Sequence, residues 1–168
     1  MISRLLERLA AGDVEFVVVG GYAAVLHGST QVTQDLDVCI EFSAENIERL
    51  RRLLGDLDPR HRMTAQKLSF LDVPPPGTEI KNLYLRTRLG VVDFISDILG
   101  VGGFERLKAR ARIVELGGRP VRVIALEDLI TAKEALARDK DVLAAKELRL
   151  IALRQAQLRA DGTAGTKS

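Results

Sequence analysis

The most constraining stretch of this 168-residue chain is Val17-Val18-Val19-Gly20-Gly21, followed after thirteen residues by Asp35-Leu36-Asp37-Val38. The first part reads as a buried strand ending in a glycine turn. In a strand, residues i and i+2 point to the same face with Cα atoms roughly 7 Å apart. Asp35 and Asp37 therefore project together, while Leu36 and Val38 enter the core. Two nearby carboxylates repel, so the pair calls for a cation. Hard oxygen ligands suit Mg²⁺, which is held by one or two carboxylates together with substrate phosphates. The two glycines let a backbone approach a bulky anion closely. Glycines before a helix and paired acids after it make phosphate plus metal the first reading.

Length favours one domain with a small helical appendage, large enough to bury a core. Apolar content of 46% and charged content of 29% fit a soluble globular protein. A net charge of +2 argues against a strongly basic nucleic-acid binder, although a local basic surface stays compatible with it. The single cysteine, Cys39, excludes an internal disulfide and a Cys-rich zinc site; within Val38-Cys39-Ile40 it reads as a buried thiol. The N-terminal Met1-Ile2-Ser3-Arg4-Leu5-Leu6-Glu7-Arg8 carries charges through its apolar positions, unlike a signal peptide, and no apolar run approaches the ~20 residues of a membrane span. The expectation is a cytoplasmic protein.

Along the chain, Leu5, Leu6 and Leu9 recur at helical spacing, with Gly12-Asp13 as a stop. Phe16 to Val19 is the buried strand, Tyr22 to His27 a short helix closed by Gly28, and Leu36 to Glu41 a second strand. Ser43 is placed as the N-cap of a charged helix whose face is Ile47, Leu50, Leu53 and Leu54, with Gly55 ending it. Residues 56 to 80, with Pro59 and Pro74-Pro75-Pro76-Gly77, read as a loop or weakly paired insertion with a strand at Lys67 to Leu71. Strands follow at Asn82 to Arg86 and Val91 to Ile95, then a short helix at Phe104 to Lys108. Gly117-Gly118 marks a hairpin between Ile113 to Leu116 and Val121 to Ile124. The C-terminal third turns helical over Leu126 to Ala137 and Val142 to Leu158, interrupted by Arg138-Asp139-Lys140-Asp141, and residues 161–168 read as a disordered tail. The organisation is a core over 1–124, a helical segment over 125–160 packing on it, and the tail.

Val91-Val92-Asp93-Phe94-Ile95 places a third acid amid residues that otherwise ask for a core. Three carboxylates on neighbouring strands can hold two Mg²⁺ ions roughly 4 Å apart, clamping the attacking and leaving oxygens of an in-line phosphoryl displacement. The glycine turn would donate backbone N–H groups to a triphosphate. On spacing alone, a simple turn with acids on a solvent-facing edge strand explains the pattern equally well. The lysine of a Walker A loop and the three-glycine dinucleotide fingerprint are both missing. His27 reads as a helix-end histidine satisfied by backbone, His61 as a surface residue, and Lys108, Arg110 and Arg112 equally as a basic patch or a solvated helix end. Tyr22 stands equally between base stacking and packing.

Together, Val19-Gly-Gly-Tyr-Ala-Ala-Val-Leu-His-Gly28, Thr33-Gln-Asp-Leu-Asp-Val38 and Gly90-Val-Val-Asp-Phe-Ile95 resemble the signature of the DNA polymerase β-type nucleotidyltransferase superfamily. More narrowly, with Ile124-Ala-Leu-Glu-Asp-Leu-Ile130, Lys133 and Arg138-Asp-Lys-Asp141, they resemble the bacterial AbiEii-like nucleotidyltransferases, which include toxins of toxin–antitoxin systems. The resemblance implies an α+β fold: a polymerase β-type core with a mixed sheet, followed by a C-terminal helical segment. It implies a nucleotidyltransferase that moves an NMP from an NTP, ATP among them, to a hydroxyl on a tRNA 3′ end or a protein side chain. An alternative is a noncatalytic nucleotide- or antitoxin-binding relative. Asp35, Asp37 and Asp93 become catalytic metal ligands for two Mg²⁺ ions, with Mn²⁺ as a substitute, and Asp93 also a base. Gly20, Gly21, Thr33, Lys133 and Arg138 become nucleotide-binding. The implied partners are an NTP, a tRNA or protein acceptor and a cognate antitoxin. Gln31 and Ala144 depart from the relatives, which often carry an arginine and an acid there.

Overall fold

A computed structural model of the chain describes residues 1–164. The helices are α1 (Ile2–Ala10), α2 (Gly20–Leu26), α3 (Ala44–Leu54), α4 (Phe104–Arg110), α5 (Leu126–Leu136) and α6 (Asp139–Ala164). The strands are β1 (Val17–Val19), β2 (Asp35–Cys39), β3 (Arg60–His61), β4 (Asn82–Thr87), β5 (Gly90–Ile95), β6 (Asp97–Ile98), β7 (Gly102–Gly103), β8 (Arg112–Leu116) and β9 (Arg119–Val123). Seven strands form one mixed sheet in the order β3-β4-β5-β2-β1-β9-β8, and β6 pairs with β7 separately. This is the α+β architecture with a mixed sheet that the motifs imply. Among the described residues no helix is long and apolar enough to cross a membrane.

β1 explains its own sequence. It lies between β2, which it pairs antiparallel, and β9, which it pairs parallel, and α1, α2 and α4 pack nearby. All three of its valines are buried, as an uninterrupted β-branched run in a central strand demands. β2 alternates instead: Asp35 is exposed and Asp37 half-buried, while Leu36 and Val38 are fully buried. That alternation turns the acids to one face of the sheet and the apolar residues to the other.

The strand and helix expectations hold with end shifts of a few residues. α2 begins at Gly20 itself rather than after the glycines. Ser43 caps α3, its Oγ accepting from the Asn46 N–H at 3.1 Å. The two C-terminal helices are separate, as expected, but the break lies at Ala137 and Arg138, and the rest of the charged run opens α6 at Asp139. The helix continues through 161–164, where the sequence predicts disorder; residues 165–168 lie outside the described residues. Its 26 residues span about 39 Å at 1.5 Å per residue.

Residues 56 to 80 contain a short 3₁₀ turn (Gly55–Leu57 marks its start), β3, and a single bridge between Arg60 and Ser69 in place of the predicted strand over 67–71. The segment is nonetheless pinned. Phe70 is fully buried, Arg51 of α3 stacks 5.2 Å from its ring centre, and the His61 ring meets it edge-on at 5.9 Å. Arg51 Nε donates to the Phe70 carbonyl at 3.1 Å, Nη1 to Glu48 Oε1 at 2.6 Å, and Nη2 to the Pro74 carbonyl. A buried arginine with each of its three nitrogens donating to an acceptor ties the insertion to α3. Phe70→Ala should lower unfolding free energy by about 3–5 kcal/mol. A urea denaturation curve checks this, and a loss under about 1 kcal/mol would mean the insertion packs independently of the core.

Candidate active site

The strand register builds the site. β2 and β5 run parallel with Asp37 directly across from Asp93, and β1 places Val19 across from Asp37 on the other side. Adjacent strands lie about 4.8 Å apart, so the two carboxylates share one spot on the sheet. Asp35, two residues earlier on β2, stands across from Val91 and is exposed. Gly20 follows Val19 with φ +65°, and a Cβ there would sit 2.2 Å from Asp37 Oδ2. Glycine is therefore required twice, for the left-handed backbone and for the room the carboxylate occupies. The Gly21 N–H donates to the Asp37 carboxylate. Thr33 packs on Gly21, where an added Cβ would lie 3.0 Å from its Oγ1, and that hydroxyl donates to the Asp35 carbonyl at 3.2 Å.

Asp37 is the electrostatic centre. Burial, then the charges of Asp93 and Asp35, push its carboxyl up to about 6, against the opposing pull of Lys133 and the Gly21 N–H. Asp93 is 8% exposed, and its partner is Arg62. Arg62 Nε donates to Asp93 Oδ1 at 3.0 Å and Nη2 donates to Oδ2, a two-pronged pair, and the guanidinium lies 5.5 Å from the centre of the Tyr84 ring. Tyr84 of β4 is itself across from Asp93.

Two cavities open on either side of the acids. One of about 180 Å³ is lined by Gly20, Asp37, Lys133 and Arg138, with an apolar wall including Ile124 and Leu129. The other, open and about 600 Å³, is lined by Tyr22, Thr33, Gln34, Asp35, Arg86 and Val91 among others. Of the three acids the larger cavity touches only Asp35, whereas the smaller one sets Asp37 beside two cations, Lys133 and Arg138. Lys133 and Arg138 are held at its edge by Asp141, which is 1% exposed. Lys133 Nζ lies 3.4 Å from Asp141 Oδ1 and Arg138 Nε 2.5 Å from Oδ2. Burial raises the Asp141 carboxyl, but the hydrogen bonds and charges of Arg138 and Lys133 outweigh it and leave it below the usual range.

The structure thus brings Gly20, Gly21, Asp37, Asp93, Lys133 and Arg138 to one region, with Thr33 and Asp35 at its outer side. It does not converge the three acids: among the described residues no three His, Cys, Asp or Glu side chains stand as a ready metal-ligating group. The donor chemistry still fits a hard divalent cation. Asp37 is half-buried beside a second acid, and burial first, then the charge of Asp93, disfavours its ionised form, which is the condition a cation relieves.

Other expectations resolve differently. His27 is buried and its Nε2–H donates to the Ile124 carbonyl at 2.7 Å, so it is backbone-satisfied as read. His61 is not a surface residue; it is half-buried and donates to the Val73 carbonyl at 2.8 Å. Lys108 pairs with Glu15 and Arg110 with Asp128, which removes two members of the suggested basic patch. Cys39 is buried, and burial pushes its thiol up to about 12. Two residues near the site went unread. Arg62 sits in a segment with no periodicity. Glu147 looks like an ordinary solvated helix acid, yet it accepts from Ser29 Oγ at 2.8 Å and from the Thr30 N–H at 2.7 Å, fastening the loop before β2 to α6.

No protein-family model and no curated protein matches the sequence. Solved structures do match. The lincosamide antibiotic adenylyltransferase LnuA, in its lincomycin-bound form, superposes with a TM-score of 0.57 at 17% identity, over 89% of this chain and 93% of that one. A Thermotoga maritima protein assigned as a nucleotidyltransferase gives 0.55 at 20% identity, over 86% and 88%. The antibiotic-resistance factor ANT(2'')-Ia gives 0.50 at 17% identity, over 98% and 97%. The fold is that of the nucleotidyltransferases. Within that fold, the glycine helix, Asp37 and Asp93 of this chain lie together, with Asp35 at their outer side.

Two measurements test this geometry. Because the folded Asp37 carboxyl titrates near 6, above its unfolded value, folding takes up protons there and stability declines as pH rises from about 4 to about 6. In chelator-treated buffer, Asp37→Asn should be more stable than the native chain by about 3 kcal/mol at pH 8, with the gain vanishing toward pH 4. A pH-independent difference would contradict the carboxylate crowding. Gly20→Ala should cost about 2 kcal/mol or more, about twice the cost of Gly21→Ala, where φ is not positive and the added Cβ comes no nearer than 3.0 Å to Thr33. Equal thermal shifts for the two would count against the close approach at Gly20.

Proposed function

We propose that this chain is a Mg²⁺-dependent nucleotidyltransferase that moves an NMP from an NTP to a hydroxyl acceptor, and the observation that carries this is the register of Asp37 against Asp93 beside a cavity closed by Lys133. Asp35, Asp37 and Asp93 would hold the metal, whose contribution when bound is to draw charge from the phosphate oxygens. The chain's own residues supply the rest. Lys133 and Arg138, across the cavity from Asp37, attract and orient the triphosphate as fixed positive charges. The apolar wall of Ile124 and Leu129 excludes water from that side and suits a nucleoside. Gly20 leaves the space in which phosphate and carboxylate approach each other.

In the reaction, the acceptor oxygen bonds to the α-phosphorus while the bond from that phosphorus to the α,β-bridging oxygen breaks and pyrophosphate leaves. Asp93, placed on β5 directly across from Asp37, takes the hydroxyl proton. The open cavity on the Asp35 side is of a size that suits a drug-sized or nucleoside-sized acceptor. LnuA, similar in fold, is an adenylyltransferase of a lincosamide antibiotic, which favours a small-molecule hydroxyl here over a tRNA 3′ end or a protein side chain. Toxin activity and control by an antitoxin rest on the sequence resemblance to AbiEii-like proteins.

The assay offers each labelled NTP with Mg²⁺ to three acceptors: a panel of small polyhydroxylated compounds, total tRNA, and the protein itself. Label transfer with stoichiometric pyrophosphate is expected, reduced at least about 100-fold by Asp37→Ala and by Asp93→Ala, since metal and triphosphate positioning fail together. Lys133→Ala should act mainly by raising KM for the NTP. Equal silence from the native protein and Asp37→Ala with every acceptor would defeat the catalytic reading.

A further inference from the structure

The acids of this site already have a cation. Arg62 follows β3 in the insertion between α3 and β4, and its guanidinium grips both oxygens of Asp93. Its backbone is fixed independently of that grip: the Arg62 N–H donates to the Tyr84 carbonyl at 3.0 Å, and Lys67 Nζ donates to the Arg62 carbonyl. The side chain is 25% exposed, against 11% for Asp93, so it reaches the acids from the solvent side. Asp93 accepts both prongs of the guanidinium, and Asp37, directly across from Asp93, adds its negative charge to the same spot.

A two-pronged arginine uses the in-plane lone pairs of both carboxylate oxygens, and its positive charge repels any second cation nearby. We propose that Arg62 is a built-in competitor for the divalent cation: it neutralises the acid cluster before nucleotide binds and must let go of Asp93 for that carboxylate to ligate metal. This rests on the reading of the three acids as a cation site. The exposed flank of Arg62 gives it a way out, and the Tyr84 face beneath it gives the freed guanidinium a second resting place. The consequence is a site in which metal and nucleotide arrive together, because the triphosphate adds the negative charge that makes the exchange favourable.

The test is Mn²⁺ affinity measured by electron paramagnetic resonance without nucleotide, in the native chain, Arg62→Gln, Arg62→Lys, and each of these with Asp37→Asn. Arg62→Gln should bind Mn²⁺ about tenfold more tightly than native, and Arg62→Lys, which keeps the charge without the fork, should fall between. Asp37→Asn should abolish binding in every background. A second readout needs no destabilising variant: the Nε–H NMR resonance of Arg62 in the native protein, assigned by its loss in Arg62→Lys, should shift on saturation with Mg²⁺ and a nonhydrolysable NTP. Unchanged or weaker Mn²⁺ binding by a folded Arg62→Gln, where native binding is Asp37-dependent, overturns the competition and leaves the proposed function standing. So does an Arg62 resonance that stays fixed while Mg²⁺–NTP binds. Absence of Mn²⁺ binding in all variants, Arg62→Gln included, overturns the cation site itself and the proposed function with it.

Discussion

Two carboxylates sit directly across from each other on neighbouring parallel strands, one half-buried and one nearly buried, and much of the surrounding structure answers the repulsion this creates. The Gly21 N–H and Lys133 act on Asp37, and Arg62 acts on Asp93. Asp141, far along the chain, keeps Lys133 and Arg138 at hand without placing them on the acids. The Asp37 carboxyl is raised, by burial first and then by the charges of Asp93 and Asp35. Perturbation of this kind clusters at ligand-binding and catalytic sites.

The motif residues are held together by devices remote from them. Glu147 of α6 fastens Ser29 and Thr30, so the length of chain between the glycines and the acids is clamped at its midpoint by the C-terminal helix. Its own carboxyl is held below the usual range, first by the Thr30 N–H and then by the two hydroxyls. On the opposite flank, Arg51 and Phe70 secure the insertion that carries Arg62. Both clamps use a charged group making three hydrogen bonds, which fixes geometry more firmly than apolar packing alone.

What could be read from the sequence follows from which signals are local. The valine run, the Ser43 cap, the Gly117-Gly118 hairpin and the i, i+2 acids are short-range patterns, and their elements lie where those patterns place them. Asp93 was legible because an acid inside Val91–Ile95 contradicts its neighbours. Arg62 and Glu147 were not, because each acts across 31 and 117–118 residues respectively and neither interrupts a pattern where it stands. His61 was misplaced for the same reason: charged neighbours suggest a surface, while Phe70 and the Val73 carbonyl bury one side of it. The division into two C-terminal helices was legible, with the break at Ala137 and Arg138 a little before the place the charged run suggests, whereas the end of α6 was cut short because composition stood in for backbone geometry.

The position of β1 carries a consequence for how the molecule comes into being. Its valines are flanked on one side by β2, nearby in sequence, and on the other by β9, about a hundred residues later. A chain emerging from the ribosome must leave one flank of this apolar strand open until the second hairpin is made, which invites pairing with other nascent chains. The acids and Arg62 all precede that hairpin and lie on the other side of β1, in the β2–β5 half of the sheet and its insertion. The mutual repulsion of the site can thus be quenched within that half, by a residue of its own, before the lysine and the closing helices have been synthesised.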